Sequence, residues 1–296
     1  MQIVHASHKY IKNKEPITLT MGNFDGLHLG HQQLIERVLG YTDTKHAVLT
    51  LDPHPSTVLR KQQFKTLTQK ADKIELLTKY KLDYLFIIHF DAEFSQFSVP
   101  QFISFLKSIA VKRIVVGRDA RFGYRGMGTV MDLRKYFHVI IVDDMLYNHT
   151  RVSTTYIKDL LSEGELGTAR KLLNRHYGIR GIVVHGNNVG KQLGFPTANI
   201  DFGNYYVPKN GVYYVKVCID NHWHHAMANI GNNPTINFTF ERRLEVYILD
   251  FNQSIYGKII EVDFLHYLRP EIKFKDRKAL IEQLKNDEQA VRKLTI

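Results

Sequence analysis

Cysteine is almost absent: Cys218 stands alone among 296 residues. That excludes an internal disulfide and suits a reducing compartment. Proline is sparse, at eight, and tryptophan occurs once. No apolar run approaches the ~18 residues that a bilayer-spanning helix needs. Met1 to Tyr10 lack the apolar stretch of a secretory signal. The expectation is a cytoplasmic protein with no membrane partner. Internal repeats and low-complexity tracts are also missing, and with 44% hydrophobic and 23% charged residues each half can bury a core. At roughly 150 residues per domain, a chain of 296 suggests two domains.

Positive charge is plentiful, with a net balance of +11 at pH 7. Such a balance points to anionic partners: phosphorylated small molecules, nucleic acid or an acidic surface. The basic residues are spread along the chain, and both zinc-finger spacing and the aromatic RNP1 pattern are missing. Nucleic acid is therefore not the expected partner. Oligomeric state has no signature here.

The first half alternates two kinds of segment. Ile17–Met21, Ala47–Leu51, Tyr84–His89, Arg113–Gly117 and Val139–Val142 read as short strands. His31–Leu39, Ala71–Tyr80 and Val99–Ile109 read as helices between them. This predicts an α/β domain, a parallel sheet covered by helices, with ligands beyond the carboxyl ends of the strands. Thr155–Leu161 and Leu166–Leu173 read as a helical connector. Then Arg180–His185, Gly211–Ile219, His224–Ile230, Leu244–Phe251 and Lys258–Phe264 read as strands, with Asp220-Asn221 a hairpin turn. Few helix-sized gaps separate them, so an antiparallel β-barrel is expected. A terminal helix of about 276–294 carries Leu280, Ile281, Leu284 and Val291 on one stripe.

The densest chemical signal is the run Thr20-Met21-Gly22-Asn23-Phe24-Asp25-Gly26-Leu27-His28-Leu29-Gly30-His31, between a predicted strand and a predicted helix. Its glycines let the backbone approach a ligand, and a helix N-terminus offers free N–H groups and partial positive charge to phosphates. His28 and His31, three residues apart, share one side of the first turn, where they can stabilise charge on a transferring phosphoryl group. The loop has no lysine and matches neither the Walker A nor the GxGxxG pattern. A metal pair would need further ligands that the sequence does not announce.

The second signal is Gly181 to Gly186 followed by Gly190-Lys191-Gln192-Leu193-Gly194-Phe195-Pro196-Thr197-Ala198-Asn199. Glycines around a lysine make a loop that can approach phosphates. Gly186 to Lys191 is one residue short of a Walker A loop and lacks the following Ser/Thr. Thr197 and Asn199 supply oxygen ligands of the kind hard cations prefer. Alternation along the predicted strand puts Glu245 and Tyr247 on the face opposite Val246 and Ile248. His222, Trp223, His224 and His225 read as a hairpin edge.

These segments resemble the bifunctional riboflavin kinase/FAD synthetase family. The glycine-histidine run resembles the HxGH signature of the nucleotidyltransferase superfamily. The stretches Thr50 to Pro55, Val116 to Gly123 and Val152 to Lys158 resemble later motifs of the FAD synthetases. The second cluster resembles the G-R-x-L-G-F-P-T-A-N hallmark of riboflavin kinases. Supporting matches are Pro208 to Tyr213, Asn229 to Thr235, Glu245 to Phe251, Tyr256 to Lys258 and Leu268 to Glu271. The resemblance implies a Rossmann-like nucleotidyltransferase domain at 1–150, a helical connector at 151–177 and a riboflavin kinase-like barrel with a terminal helix at 178–296.

It also implies FMN adenylyltransferase and riboflavin kinase activities, with riboflavin, FMN, FAD and ATP as substrates and products and Mg²⁺ as cofactor. In the first site it assigns ATP phosphates to Gly22, Phe24, Asp25, His28, Gly30, His31, Ser153, Thr154, Thr155 and Lys158. The flavin falls to Asn23, His54, Pro55 and Asp119. In the second site it assigns nucleotide to Gly186, Gly190, Lys191, Gly194, Pro196, Thr197 and Asn199, with Mg²⁺ on Thr197 and Asn199. It makes Glu245 the base that takes the riboflavin 5′-hydroxyl proton. Lys158 and Lys191 stand where the family usually has arginine, and Ala120 where it usually has phenylalanine. Two rival readings remain: a FAD synthetase with a silent kinase domain, and a nucleic-acid-binding module with a regulatory barrel.

Overall fold

The computed structural model describes residues 1–60, 64–186, 190, 193–234 and 240–295. Contacts divide the chain into two compact units, Met1–Thr154 and Thr155–Ile296.

The first unit is built on β1 (Gln2–Ala6), β2 (Ile17–Met21), β3 (Lys45–Asp52), β4 (Tyr84–His89), β5 (Val111–Gly117) and β6 (His138–Val142). All pair in parallel, in the order β1-β4-β3-β2-β5-β6. The inner strands are buried almost throughout, as a sheet covered on both faces requires. Alternate residues feed two cores: Ala47, Leu49, Phe86 and Ile88 on one face, Val48, Leu85 and Ile87 on the other. The covering helices include α1 (Leu29–Leu39), α2 (Pro55–Arg60), α3 (Lys70–Thr78), α4 (Ala92–Ser95), α5 (Val99–Ser108) and α6 (Val130–Arg134). A capping box of Ser98 and Gln101, with Pro100 in the first turn, starts α5.

β2 has β3 on one side and β5 on the other, and the strand order reverses there. Open α/β sheets bind ligands at such a switch point, beyond the carboxyl ends of the strands. The loop from β2 into α1 lies there. Besides α2, α4 and α6, an edge strand and a short hairpin of this unit escape the sequence reading. β1 is an edge strand with an exposed, half-polar pattern. The hairpin of β7 (Leu146–Tyr147) and β8 (Thr150–Arg151) is only two residues long on each side and turns on Asn148 and His149 at positive φ.

In the second unit α7 (Thr154–Glu163) and α8 (Leu166–Leu173) precede the strands, and α8 packs on the barrel. The strands are β9 (Tyr177–Val184), β10 (Ala198–Asp201), β11 (Gly211–Ile219), β12 (His222–Pro234), β13 (Phe240–Ile248) and β14 (Ile259–Arg269). They close into an antiparallel barrel in the order β10-β13-β12-β11-β14-β9. Tyr213, Val215, Val246, Val262 and Phe264 are buried, with the rings of Tyr213 and Phe264 edge to face at 5.2 Å. Asp220 and Asn221 join β11 to β12 with φ of 48° and 66°, the two-residue turn that matches strand twist. β10 is the strand the periodicity misses: four residues, two of them polar, offer no clear alternation. Helix α9 (Arg277–Leu294) starts on an Asp276 cap that accepts from Ala279 N–H at 2.8 Å. Its Leu284 and Val291 join Phe195, Tyr214 and Met227 in a core of their own.

Phe122 follows β5 and packs on Phe102 at 4.9 Å. Gly128 lies against its ring, where a β-carbon would stand 2.6 Å from the nearest ring atom. Overpacking of this kind costs about 1–3 kcal/mol. Gly128→Ala is therefore expected to lower the urea midpoint of the first unit; an unchanged midpoint would show that the ring moves aside freely.

Candidate active sites

In the first unit, the chain leaves β2 through Gly22, whose N–H donates to Leu49 O at 3.1 Å. Phe24, Gly26 and Leu27 then take positive φ, a run of turns that only tight anchoring sustains. The anchor is Asp25. Its carboxylate is buried and Oδ1 accepts from the N–H groups of Leu67 and Thr68 at 2.8 and 3.0 Å. Its carbonyl accepts from the Thr154 hydroxyl at 3.0 Å, and Gly26 N–H donates to Thr68 Oγ1 at 3.0 Å. The Phe24 ring is fully buried in the second core, its centre 5.2 Å from that of His31.

His28 is the residue before α1, and His31 lies in its first turn. Their rings stack at 3.7 Å, 20° from parallel. Gly30 permits this crowding: a β-carbon there would stand 3.3 Å from the His28 ring and 3.5 Å from Val152 O. Among the described residues His31 Nδ1 is buried without a hydrogen-bond partner. Burial, then the charges of His28, Lys73 and Arg151, hold the His31 pKa well below the usual imidazole value. The ring is therefore neutral at pH 7.

Two cations near this site lie outside the motif residues picked from the sequence. Lys73 comes from α3 and donates to Thr50 Oγ1 at 3.3 Å. Arg151, at the end of β8, forms a two-pronged pair with Asp119 at 2.6 and 2.9 Å and meets Asp144 at 3.0 Å. That pairing pulls the Asp119 carboxyl below its ordinary value. No short motif announces Lys73, because a lysine in an amphipathic helix reads as surface charge.

Beside the loop opens a cavity of about 640 Å³, lined by Met21, Asn23, Pro55, Phe90, Phe122 and Arg125 among others. Its wall is apolar and aromatic with guanidinium groups at hand, a surface suited to a flat heteroaromatic ring. Asn23 and Pro55 line it. His54 and Asp119 do not: His54 Nδ1 accepts from Ser56 N–H at 3.2 Å and its ring stacks on Phe64 at 4.4 Å. Ala120 packs against the first core. Ser153 and Thr154 stay with the first unit, whereas Thr155 and Lys158 belong to the second, with the Lys158 ammonium 5.5 Å from the centre of the Tyr206 ring.

In the second unit Thr197 lies between two cavities. One, of about 260 Å³, is lined by Gly190, Thr197, Asn229, Glu245, Tyr247 and Arg269 among others, and by residues of α9. The other, of about 130 Å³, is lined by Pro196, Thr197, Ala198, Phe251 and Tyr256 among others. Glu245 and Tyr247 line the first, while Val246 and Ile248 are buried, as the alternation along β13 requires. Across the sheet Glu245 sits opposite Asn199 on β10 and Asn229 on β12. Facing pairs bring side chains within reach of each other, so a carboxylate stands between two amides. Burial raises the Glu245 pKa, partly offset by Arg243.

Close approach again builds the site. A β-carbon on Gly186 would meet Asn199 Nδ2 at 2.0 Å, and one on Gly190 would meet Phe195 O at 2.4 Å and Thr197 Oγ1 at 3.1 Å. Gly194 turns at φ 84°. Lys191 lies outside the described residues. Arg269 holds Asp287 of α9 at 2.6 Å, closing the larger cavity on the helix side; the sequence gives no means of pairing these two. Among the histidines of the hairpin edge, His225 bonds the Tyr214 hydroxyl at 2.7 Å, and His224 packs on Phe251. Among the described residues, no group of three or more His, Cys, Asp or Glu could hold a metal ion.

Known proteins match both halves. The FAD synthetase family matches residues 10–156, and the riboflavin kinase family residues 173–295. The bifunctional riboflavin kinase/FMN adenylyltransferase of Listeria monocytogenes is 40% identical over 285 residues, 93% of this chain and 91% of its own. That of Bacillus subtilis is 34% identical, covering 98% of this chain and 96% of its own. A crystal structure described as a macrolide-efflux protein from Streptococcus pneumoniae is 32% identical, with a TM-score of 0.89 and 98% of each chain covered. No helix among the described residues is long and apolar enough to cross a membrane.

The space at Gly186 yields a test. In Gly186→Ala the new methyl meets the free end of the Asn199 side chain, which can swing away at small cost to the fold. The expected outcome is a melting temperature within a few degrees of wild type and a loss of whatever chemistry the second unit performs. Full activity would show that Asn199 need not sit where it does.

Proposed function

The chain belongs to the bifunctional riboflavin kinase/FMN adenylyltransferase family, and we propose how its residues divide the two reactions. It phosphorylates riboflavin with ATP to give FMN, and it transfers the adenylyl group of ATP to FMN to give FAD and pyrophosphate. Two working sites are favoured over a silent kinase domain or a nucleic-acid-binding module.

The observation that carries the kinase assignment is Thr197 on the walls of both cavities, with Glu245 on one of them. Riboflavin occupies the cavity that holds Glu245, between the barrel and α9. ATP occupies the other and reaches Thr197 with its phosphates, along the backbone at Gly186, Gly190, Gly194 and Pro196. Phosphoryl transfer asks the protein mainly to position groups and neutralise charge. Glu245 accepts the proton of the 5′-hydroxyl as that oxygen bonds to the γ-phosphorus and ADP departs. Burial supports this role, because a carboxylate with a raised pKa is the stronger base.

Thr197 and Asn199 offer oxygen donors beside the Glu245 carboxylate, and two glycines leave these side chains their room. This donor set fits a hard cation, and Mg²⁺ would be held by Thr197 and Asn199. Bound there, it would neutralise phosphate oxygens.

In the first unit the FMN ring lies in the 640 Å³ cavity against Asn23 and Pro55. ATP phosphates lie at the N-terminus of α1, with His28, His31, Gly30 and the backbone from Gly22 to Asp25 around them. Ser153 and Thr154 follow β8, and the Thr154 hydroxyl is bonded to the loop at Asp25. An oxygen of the FMN phosphate attacks the α-phosphorus as the bond to pyrophosphate breaks. Asp119 and His54 act on the flavin side through their neighbours. The domains run from 1–150 and 178–296 with the connector between, and a cytoplasmic setting, where ATP is supplied, suits both reactions. Its positive charge serves polyanionic small molecules.

Two substitutions separate the sites. His31→Ala should lower FAD formation from FMN by about 10²-fold, the scale of losing one transition-state hydrogen bond, while FMN formation from riboflavin persists. Glu245→Gln should do the reverse; equal loss of both activities in either variant would sink the division. The acid limb offers a second test. Because the Glu245 pKa is raised, the base form disappears as pH falls through a value above the ordinary 4.5. Kinase kcat/KM should therefore fall at a higher pH than an unperturbed glutamate would give, and an acid limb below that range would remove Glu245 as the base.

A further inference from the structure

We propose that Lys73 is the cation of the adenylyltransferase site, reaching the ATP phosphates from beneath the glycine-rich loop. The inference rests on the assignment of adenylyl transfer to that site. The loop itself has no lysine, unlike a Walker A loop. Yet the reaction concentrates negative charge: an FMN phosphate oxygen bonds to the α-phosphorus while the bond to the leaving pyrophosphate breaks and its electron pair departs. The His31 ring, held neutral by burial, donates a hydrogen bond there but brings no charge.

Lys73 fills that gap by position. It projects from α3, and its ammonium donates to Thr50 Oγ1, whose hydroxyl donates in turn to Asn23 O in the loop. That places it under the segment between the flavin cavity and the histidine pair. Its charge is felt at His31. Among the described residues no carboxylate lies within ion-pairing distance of it. Of the nearby carboxylates, Asp25 turns Oδ1 to the N–H groups of Leu67 and Thr68, and Asp52 pairs with Lys70 at 3.1 Å and meets His5 at 3.5 Å. A half-buried ammonium that hydrogen-bonds a neutral hydroxyl and feels Asp25 and Asp52 only through space is incompletely paired. It is the arrangement expected of a cation that completes its pairing with substrate.

The groups facing it are Asp25 from the loop, Asp52 from the end of β3 and His31 from α1. Burial lowers its pKa, and the two aspartates partly restore it. In the free enzyme the ammonium therefore loses its proton below the usual 10.5 for lysine.

The test measures FMN adenylylation by the full chain, with riboflavin phosphorylation and the melting temperature as controls. Lys73→Met should lower kcat/KM for ATP by about 10²-fold or more, the scale of losing one preorganised charge-stabilising group. Lys73→Arg should keep much of the activity and lose the alkaline fall in kcat/KM, because a guanidinium stays charged. A residue with only a structural role would leave that alkaline limb in place. Wild-type adenylylation in Lys73→Met would overturn the proposal. Should the methionine variant melt early, the arginine variant decides: an alkaline limb identical to wild type would overturn it as well. If His31→Ala also keeps full adenylylation, the fault lies in the assignment of the site; if only Lys73→Met does, it lies in the role of Lys73.

Discussion

Both sites depend on chain segments approaching where a β-carbon has no room. Gly30 lets the His28 ring fold over the first turn of α1 and lets the backbone at Val152 come alongside. Gly186 and Gly190 do the same for Asn199 and Thr197 in the barrel. Gly231 accommodates the Glu271 carboxylate, 2.4 Å from where its β-carbon would be, at the rim of the 260 Å³ cavity. A phosphate group needs several donors within about 3 Å. Side chains on backbones spaced at ordinary packing distances converge on one point only if something is removed between them. In both folds, otherwise unrelated, what is removed is a side chain.

Close approach needs anchoring, and the two units solve this differently. In the α/β unit a buried carboxylate does it. Asp25 ties a loop with three positive-φ positions to the backbone at Leu67 and Thr68. Hydrogen bonds to a charged group are worth about 1.5–3 kcal/mol each, enough to offset the local strain of a few such positions. In the barrel the anchor is the sheet ladder: Asn199, Glu245 and Asn229 are fixed in one row by the pairing of three strands. The second cavity still needs its lid held, and the Arg269–Asp287 pair fastens α9 to the end of β14.

Much of this was legible in the sequence because it is local. The alternation of Glu245 and Tyr247 against Val246 and Ile248, the Asp220-Asn221 turn and the stripe on α9 each follow from one short window. The HxGH run and the P-T-A-N run carried both reactions, and the parallel sheet and barrel were readable from segment order. What stayed hidden is what tertiary pairing creates. β1 and β10 are strands because neighbours accept them, not because their residues alternate cleanly. Asn229 became a site residue only through its register opposite Glu245. Arg151 and Lys73 look like ordinary surface cations until the fold carries them to a helix N-terminus, and Asp287 sits mid-helix among charges with nothing to mark its partner. Ala120, aligned with a flavin-side position, turns toward the core instead.

Burial acts on the ionisable groups of both sites in one direction, toward the uncharged form. It lowers His31 and Lys73 and raises Glu245. Desolvation is the largest cause in all three cases, outweighing any single charged neighbour. Sites of this kind hold strong electrostatic potential only after a charged ligand enters, because the ligand supplies the counter-charge that water no longer does. On the proposed assignment Lys73 meets a polyphosphate, which favours its protonated form. On the same proposal Glu245 faces a hydroxyl about to lose its proton, and a carboxylate poorly solvated beforehand takes that proton more readily. The same physical effect, removal of water, thus equips one site to receive charge and the other to receive a proton. Each demand matches its reaction: adenylyl transfer begins from an anionic nucleophile, whereas phosphorylation of riboflavin begins from a neutral alcohol that must be deprotonated as it attacks.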